Sequence, residues 1–250
     1  MIVLLKQLSL PTVTNTEIKF RQMKTNIRLC VSLFLLFFVV SSNAQMKVFN
    51  IPFDVTFEAG FSNQFRNGKS ASNLNIHGVR LASIVELTLP LDIKLQTGAI
   101  YTSSNSTKTQ GFYQSYIYSQ SFGHAINVPL HVGYELPLFG QFKAFGFAGP
   151  SLGIGLSEYR LIYANMAENA IDLINESDLL INYTSGKSEL YKDGELRRLN
   201  LMLGAGGGIR WKNYYIKSGY DFGLNNLNPK DSRKIVQSGW YLMGGYQFKF

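Results

Sequence analysis

Apolar and polar residues alternate with a period of two along most of this chain, and this pattern constrains the fold more than any other feature. The clearest segment is "HAINVPLHVGYEL", residues 124–136. One face is apolar (Ile126, Val128, Leu130, Val132, Tyr134 and Leu136), and the other carries Ala125, Asn127, Pro129, His131, Gly133 and Glu135. Successive side chains of a β-strand point to opposite faces, so the segment predicts a strand with one wholly apolar face.

Seven further segments repeat the alternation, at residues 53–62, 78–89, 91–102, 141–157, 197–211, 214–225 and 239–250. Their connections are alternately short (Pro90, 137–141 and 212–213) and long (63–77, 103–121, 158–196 and 226–238). Strands of even number, with short turns at one end and long loops at the other, are typical of membrane barrels. The sequence therefore predicts an all-β fold, an eight-stranded antiparallel transmembrane up-and-down β-barrel.

Two features favour a barrel in a membrane over a soluble barrel with its apolar rows inside. Aromatic residues gather at the strand ends, as an interfacial girdle requires: Phe53, Tyr101, Tyr134, Phe142, Trp211, Tyr214, Trp240 and Phe250. The opposite face is rich in glycine, which relieves crowding inside a narrow barrel: Gly60, Gly98, Gly133, Gly204, Gly206, Gly208, Gly219 and Gly245. We therefore expect the apolar rows to face lipid, and a soluble ligand-binding barrel stays open as the alternative.

The polar face predicts a network of charges inside the barrel. Eight strands leave an interior that side chains just fill, and an unpaired charge there would be costly. The candidate members carry both signs: Glu58, Arg80, Glu86, Lys94, Glu135, Arg198, Arg210, Lys217 and Asp221. The same face places Asp54, Lys143 and Lys249 at strand ends. We expect a plugged interior with a structural or interaction role, and a narrow, porin-like channel for small solutes is the alternative.

The N-terminal residues have the features of an export signal. From Met23 the sequence has basic residues Lys24 and Arg28, an apolar run from Leu29 to Val40, and small residues before Gln45. The run is shorter than the roughly 20 residues of a membrane-spanning helix. We expect residues 1–22 to be an upstream extension with a misassigned start, 23–44 a cleaved signal, and 45–250 the barrel, located in the outer membrane with both termini periplasmic. The single cysteine, Cys30, would then be removed.

Other functional classes have little support in the sequence. The net charge is +8, but five of the 24 basic residues precede residue 45 and the rest are scattered, so no nucleic-acid partner is expected. No metal or other cofactor is expected, because no histidine pair has ligand spacing and the glycines at 204–208 stay on a strand. His131 could meet Glu135 or Ser151 in mid-strand. A lipid-modifying enzyme would need a set of serine and histidine side chains near the outer strand ends. The candidates there are His77 and His124, with Ser70, Ser72, Ser119 and Ser121. We expect no catalytic role for them.

Two segments predict contacts with other molecules. In the 158–196 loop, "YANMAENAIDLINES" puts Tyr163, Ala167, Ala170, Ile171 and Ile174 on one helical face. We favour a lid over the barrel mouth or a hairpin extension of the adjoining strands, and a surface for a protein partner is the alternative. The last strand must close the ring, with apolar residues toward lipid. Its alternating Trp240, Tyr246, Phe248 and Phe250 resemble the signal that the barrel-assembly machinery recognises.

Four stretches carry a resemblance to a known family: "INVPLHVGYEL" (126–136), "AGPSLGIGL" (148–156), "LGAGGGIRWKNYYIKSGYDFGLNNL" (203–227) and "GYQFKF" (245–250). Together they resemble the PorT-like outer-membrane β-barrel proteins of Bacteroidetes, in the family's order, over the second half of the predicted barrel. The resemblance implies an eight-stranded barrel. The founding member supports secretion of proteases across the outer membrane, a role that does not transfer to this chain by resemblance alone.

Overall fold

The computed structural model describes residues 53–68, 71–112, 115–165, 186–230 and 234–249. Nine strands and one 3₁₀ turn (Pro90–Asp92) form the described chain. The strands are β1 (Phe53–Gly68), β2 (Ala71–Thr88), β3 (Ile93–Phe112), β4 (Ser115–Pro137), β5 (Phe142–Asn165), β6 (Gly186–Glu189), β7 (Leu199–Trp211), β8 (Tyr214–Gly223) and β9 (Ile235–Lys249). Within these ranges, no helix is long and apolar enough to cross a membrane.

The strands close into an antiparallel ring. Neighbouring strands pair in the order β4-β3-β2-β1-β9-β8-β7-β5, and β4 pairs with β5 to complete the circle. The first and last strands are in register from Asp54 opposite Lys249 to Gly68 opposite Ile235. The short β6 lies outside the ring and pairs only with Tyr159–Ile162 of β5 among the described residues. Eight of the nine strands therefore form a barrel, and the predicted fold class is confirmed.

The predicted short connections are confirmed, whereas the predictions of long loops at 63–77 and 103–121 are wrong. Residues 89–92, 138–141 and 212–213 join consecutive strands at one end of the barrel, the short-turn end. At the opposite, hairpin end, residues 63–68, 71–77, 103–112 and 115–121 are strand rather than loop. Segments such as "SSNSTKTQ" (103–110) are polar on both faces, so alternation of hydropathy could not reveal them.

The helical face predicted in the 158–196 loop is also wrong for its first residue, Tyr163. β5 continues to Asn165, so Tyr163 is in a strand and pairs with Tyr118 of β4. Ala167, Ala170, Ile171 and Ile174 lie outside the described residues. β5 has a β-bulge at Leu156, which has no partner on β4, and the register between the two strands shifts there, between His124 and Ala125. The bulge turns Glu158 to the interior.

The facing of the strands confirms the predicted membrane-type barrel. In β4, Leu130 and Val132 are 51% and 55% exposed, whereas His131 between them is only 5% exposed. The same contrast occurs in β1, where Phe61 points outward and Glu58 is buried. The apolar rows therefore cover the outside and the charges fill the inside, so the inverted facing of a soluble barrel is wrong.

Inward glycines make room for aromatic rings. A Cβ at Gly206 would lie 2.5 Å from Cζ of Phe147, and one at Gly219 would lie 2.5 Å from the hydroxyl of Tyr241. Phe147 and Tyr241 pack with Ala82, Ile84, Ile100 and Met243 in a small apolar core within the barrel. The sequence predicted the inward glycines correctly, but it did not identify the inward rings that occupy the space.

Candidate functional site: the barrel interior and its two ends

Two buried ion pairs, Lys217 with Glu58 and Arg80 with Asp221, fill the middle of the barrel. Together with Tyr215 they form the middle cluster (Glu58, Arg80, Tyr215, Lys217 and Asp221). Nζ of Lys217 donates to Oε1 of Glu58 at 2.6 Å, and the hydroxyl of Tyr215 donates to the same oxygen at 2.6 Å. Nη1 of Arg80 donates to Oδ2 of Asp221 at 3.1 Å. Because all five side chains are buried, the charges neutralise one another inside the barrel rather than in water.

Aromatic rings and a histidine complete this layer. The guanidinium of Arg80 lies over the Tyr241 ring, 4.3 Å from its centroid. Nε2 of His131 is 3.0 Å from Oγ of Ser151, one of the two partners considered from the sequence, and its ring stacks on Phe147. The residual cavity in the middle layer measures about 10 Å³, close to the smallest space that holds one water molecule.

The short-turn end of the interior is organised around Glu86, which is buried. Its carboxylate accepts hydrogen bonds from Gln96 (2.8 Å), Gln247 (3.2 Å) and Arg210 (3.5 Å), and Nζ of Lys94 lies 3.8 Å away. Arg210 also pairs with Glu135, which accepts from Lys143 at 3.3 Å. These residues, with Asp54 bonded to Gln247 at 2.6 Å, form the short-turn cluster.

The hairpin end is closed by a bidentate ion pair. Nη1 and Nη2 of Arg66 donate to the two carboxylate oxygens of Glu158 at 2.7 and 2.9 Å, a planar geometry suited to guanidinium and carboxylate. Gln237 accepts two further bonds from Arg66, and the hydroxyl of Tyr191 lies 3.5 Å from Glu158. Burial raises the pKa of Tyr191 to about 12, and the Glu158 carboxylate adds to the effect, so the phenol stays neutral. We call Arg66, Glu158, Tyr191 and Gln237 the hairpin-end cluster.

A short chain segment, residues 186–198, holds Tyr191 over this cluster; we call it the strap. β6 attaches it to β5, and Glu189 accepts from the backbone N–H of Glu158 and Lys192. Leu190 is fully buried and packs with Leu196 and Leu227. The Tyr191 ring contacts Gly155, where a side chain would leave no room for it. The cavity that remains beneath the strap measures about 40 Å³.

Of the nine charged residues that the sequence assigns to the interior, eight lie in the middle and short-turn clusters. The exception is Arg198, which is exposed and donates to the backbone oxygens of Gly155 and Leu156, with its guanidinium 5.2 Å from the Tyr191 ring centroid. Arg198 therefore belongs to the strap and not to the charge network. Arg66 and Glu158 were missed because their segments were assigned to loops.

Trp240, Tyr246 and Phe248 of the last strand lie on the outside of the barrel, whereas Tyr241 faces inward. Tyr246 and Phe248 belong to a continuous series of ring contacts around the short-turn end, with centroids 4.7–6.5 Å apart. That series runs Phe139, Phe142, Trp211, Tyr214, Tyr246, Phe248 and Phe57. Trp240 is exposed nearer the hairpin end and pairs with Tyr220 of β8. Phe250 lies outside the described residues.

Among the described side chains, neither histidine at the hairpin end is hydrogen-bonded to Ser119 or Ser121. Nδ1 of His124 is 2.8 Å from the hydroxyl of Tyr101, and His77 is exposed opposite Asn63 and Asn105. Ser121 is buried on the inner face. Ser70 lies outside the described residues. Within the described ranges, no group of acidic, histidine or cysteine side chains has the geometry of a metal site.

Comparison with known proteins gives a family match and similar folds. The model of the outer membrane protein beta-barrel domain family matches residues 42–228. Neisserial surface protein A is 15% identical, with 79% of this chain and 97% of that chain covered and a TM-score of 0.39. Ail of Yersinia pestis, solved with the heparin analogue sucrose octasulfate, is 13% identical, with 78% and 99% covered and a TM-score of 0.38. The N-terminal barrel of Pseudomonas aeruginosa OprF is 11% identical, with 76% and 97% covered and a TM-score of 0.26. No curated protein matches the chain.

Proposed function

The chain belongs to the outer membrane protein beta-barrel domain family, and from that premise we propose that it is a non-conducting barrel whose role is binding at its hairpin end. One observation carries the proposal: the buried ion pairs of the middle cluster leave only about 10 Å³ in their layer. A solute would have to break two buried ion pairs to pass, and each broken pair would leave an uncompensated charge. The closed strap at the hairpin end supports the same reading.

Planar-bilayer recording tests whether the barrel conducts. We expect no channel openings from the wild-type protein. A variant with Arg80, Lys217 and Tyr241 replaced by alanine removes three large side chains from the middle layer, so it should open a path and serve as the positive control for insertion. Steady, unitary conductance from the wild-type protein would favour the small-solute channel instead.

We further propose that the hairpin end contacts a protein partner, in support of secretion or envelope assembly. The strands β4 and β5 continue to Tyr116 and Asn165, and their outer faces carry Phe122, Tyr159 and Tyr163, of which Phe122 and Tyr163 are well exposed. Exposed aromatic side chains are enriched in protein interfaces. The 166–185 part of the predicted partner loop lies outside the described residues.

Site-specific photo-crosslinking in intact cells tests this contact. A crosslinker at Tyr163 should give a discrete product with a second protein, and one at Lys187 in the strap should give the same product. A crosslinker at Tyr214, which is also well exposed but lies at the short-turn end, is the matched control and should not give this product. Identical products from all three positions would contradict a binding surface at the hairpin end.

The proposed role is not enzymatic. His124 is bonded to Tyr101 on the outer face whereas Ser121 faces inward, an arrangement that supports this view. Loss of an activity on lipid A or phospholipid in His77→Ala or His124→Ala would overturn it.

The orientation and processing of the chain are also proposals. We propose export by residues 23–44, initiation at Met23, periplasmic termini, and assembly through Trp240, Tyr246 and Phe248 of the last strand, with Phe250 beyond it. The narrower kinship with PorT-like proteins of Bacteroidetes rests on the four sequence stretches given above. N-terminal sequencing of the protein from the outer membrane tests the cleavage before Gln45.

A further inference from the structure

We propose that the mouth of the barrel at the short-turn end binds a phosphate-bearing anion. A cavity of about 620 Å³ opens there, far larger than the spaces inside the barrel. Five of its lining side chains are basic: Lys94, Lys143, Arg210, Lys212 and Lys249. Only Asp54 and Glu135 are acidic, and the remaining lining side chains are amides. The residues that line the mouth are thus all polar or charged, with an excess of positive charge.

The protein's own carboxylates do not neutralise this excess. Glu86, at the floor of the mouth, pairs with Arg210 and Lys94, and Glu135 pairs with Arg210 and Lys143. Including Glu86, three carboxylates face five cations among the residues that the structure describes here. Lys212 and Lys249 have no carboxylate within 4.0 Å among the described residues. Residues 45–52, which precede β1, contain Lys47 and no acidic residue, so their composition adds only positive charge.

A buried donor at this mouth also lacks a partner. The Arg210 side chain is 7% exposed, and its Nε has no hydrogen-bond acceptor within the described part of the protein. A buried N–H without an acceptor is costly, so native proteins rarely keep one without a reason. An oxyanion in the mouth would compensate the surplus charge of the Arg210 guanidinium and of the rim lysines.

The rim is held rigidly. The backbone N–H of Lys212 reaches the carbonyl oxygen of Gln141 at 3.5 Å, and that of Gln247 donates to the carbonyl oxygen of Asn213 at 2.8 Å. Two turns and the last strand are therefore joined around the opening. Because the backbone positions of the rim lysines are fixed before any ligand arrives, less entropy is lost when they bind one.

Phosphate fits these groups better than a singly charged anion. The imbalance of two charges matches a phosphate dianion, and both guanidinium and ammonium groups are established phosphate ligands. The phosphate could come from a soluble compound or from a lipid headgroup. Nζ of Lys212 lies 5.0 Å from the ring centroid of Trp211, which faces outward in the aromatic girdle, so the rim also borders the lipid.

Calorimetry on the full chain in an uncharged detergent tests binding of inorganic phosphate. A variant with Lys143, Lys212 and Lys249 replaced by glutamine removes three rim charges and leaves the buried Arg210 in place. It should bind phosphate at least ten-fold more weakly than wild type. A control with Lys187, Lys192 and Lys230 replaced by glutamine loses the same charge at the hairpin end and should bind like wild type. Faster gel migration of the unheated proteins would show that all three are folded.

A second arm distinguishes the source of the phosphate. Wild type and the rim variant are reconstituted in bilayers of phosphatidylcholine with phosphatidylglycerol, extracted, and analysed for retained lipid. Binding of free phosphate that depends on the rim lysines indicates a soluble ligand. Rim-dependent retention of phosphatidylglycerol without binding of free phosphate indicates a headgroup. If neither binds, or if the rim variant behaves like the hairpin-end control, the proposal is wrong. The result is independent of whether the barrel conducts.

Discussion

At the scale of the residue, the interior is governed by steric fit between inward glycines and aromatic rings. Gly206 shows this most clearly, because a Cβ there would meet Cζ of Phe147 at 2.5 Å and the backbone oxygen of Ser218 at 2.5 Å. A ring can rotate away, but the backbone of the neighbouring strand cannot move without breaking its ladder. Glycine is therefore required at this position by space rather than by backbone angle.

We predict that Gly206→Ala destabilises the barrel by about 1–3 kcal/mol, the usual cost of overpacking a well-filled core. Gly244→Ala is the matched control, because its Cβ would point outward with the nearest atom, the carbonyl oxygen of Tyr215, at 3.8 Å. The measurement is urea-induced unfolding of the two variants refolded into lipid vesicles. Equal stability of the two variants would show that the interior has more room than the structure indicates.

The middle cluster makes a second prediction at the same scale. Lys217→Met leaves the buried carboxylate of Glu58 without its cation, so the barrel should lose about 3–5 kcal/mol. The double variant Lys217→Met with Glu58→Gln removes both charges and should regain most of that loss. Lys143→Met removes a cation whose side chain is 51% exposed and should cost less than about 1 kcal/mol.

The same unfolding assay checks these three variants. If the double variant were no more stable than Lys217→Met alone, charge pairing would not be what holds the middle layer together. Additive losses would instead point to the packing of the two aliphatic stems as the main contribution.

At the scale of the element, the sequence predicted strands well wherever one face had to be apolar. The eight ring strands and their three short turns all follow from alternation and from Pro90, 137–141 and 212–213. Beyond the lipid, the outer face needs no apolar residues, and segments such as 103–112 lost the pattern while keeping the strand. The Arg66–Glu158 pair could not be predicted for this reason, and because the bulge at Leu156 turns Glu158 inward.

The strap was beyond prediction from periodicity, because its attachment depends on single contacts. β6 has only four residues, and its fixed position depends on Leu190 in a small core and on Glu158 among its polar partners. Such long-range contacts leave no periodic signal in the sequence. The interior charges, in contrast, were predictable because a charge recurring on the inner face of a strand needs a partner there.

We predict that Arg66→Ala loosens the strap without opening the ring. Loss of a charged hydrogen bond costs about 1.5–3 kcal/mol, so the amides of Asp193, Glu195 and Leu196 should exchange with solvent about ten-fold faster or more. Hydrogen–deuterium exchange followed by mass spectrometry reports on these residues. Arg160→Ala breaks a more exposed pair with Glu195 and should have a smaller effect. Uniformly faster exchange in β7 and β8 would mean that Arg66 supports the barrel itself.

At the scale of the whole molecule, function depends on closure of the ring. Lipid cannot satisfy an unpaired backbone group, so a spanning sheet must have no free edges. The register between β1 and β9 meets this requirement along the full length of both strands. Closure also separates two chemically different ends, a strapped hairpin end and a basic, open short-turn end, with a sealed layer between them. In the proposed non-conducting barrel, an event at one end reaches the other only through the barrel wall.

Closure between strands this far apart in sequence can be tested with one disulfide. Ala59 and Gly244 are directly opposite each other on β1 and β9 and face outward, and with Cys30 replaced by serine the chain has no other cysteine. Paired residues of neighbouring strands lie within the Cα separation of about 4.4–6.8 Å that a disulfide requires. Ala59→Cys with Gly244→Cys should therefore crosslink under mild oxidation. On a denaturing gel, after boiling without a reductant, the chain that the disulfide closes into a loop should migrate faster than the reduced chain.

Ala59→Cys with Ala205→Cys is the control, because Ala205 also faces outward but lies on β7, which β9 and β8 separate from β1. The two cysteines of this control should remain reduced in the folded protein. Efficient crosslinking of the control, or none in the β1–β9 pair, would mean that the first and last strands are not neighbours. The barrel would then be open along that seam, and neither its sealed middle layer nor its separate ends would follow.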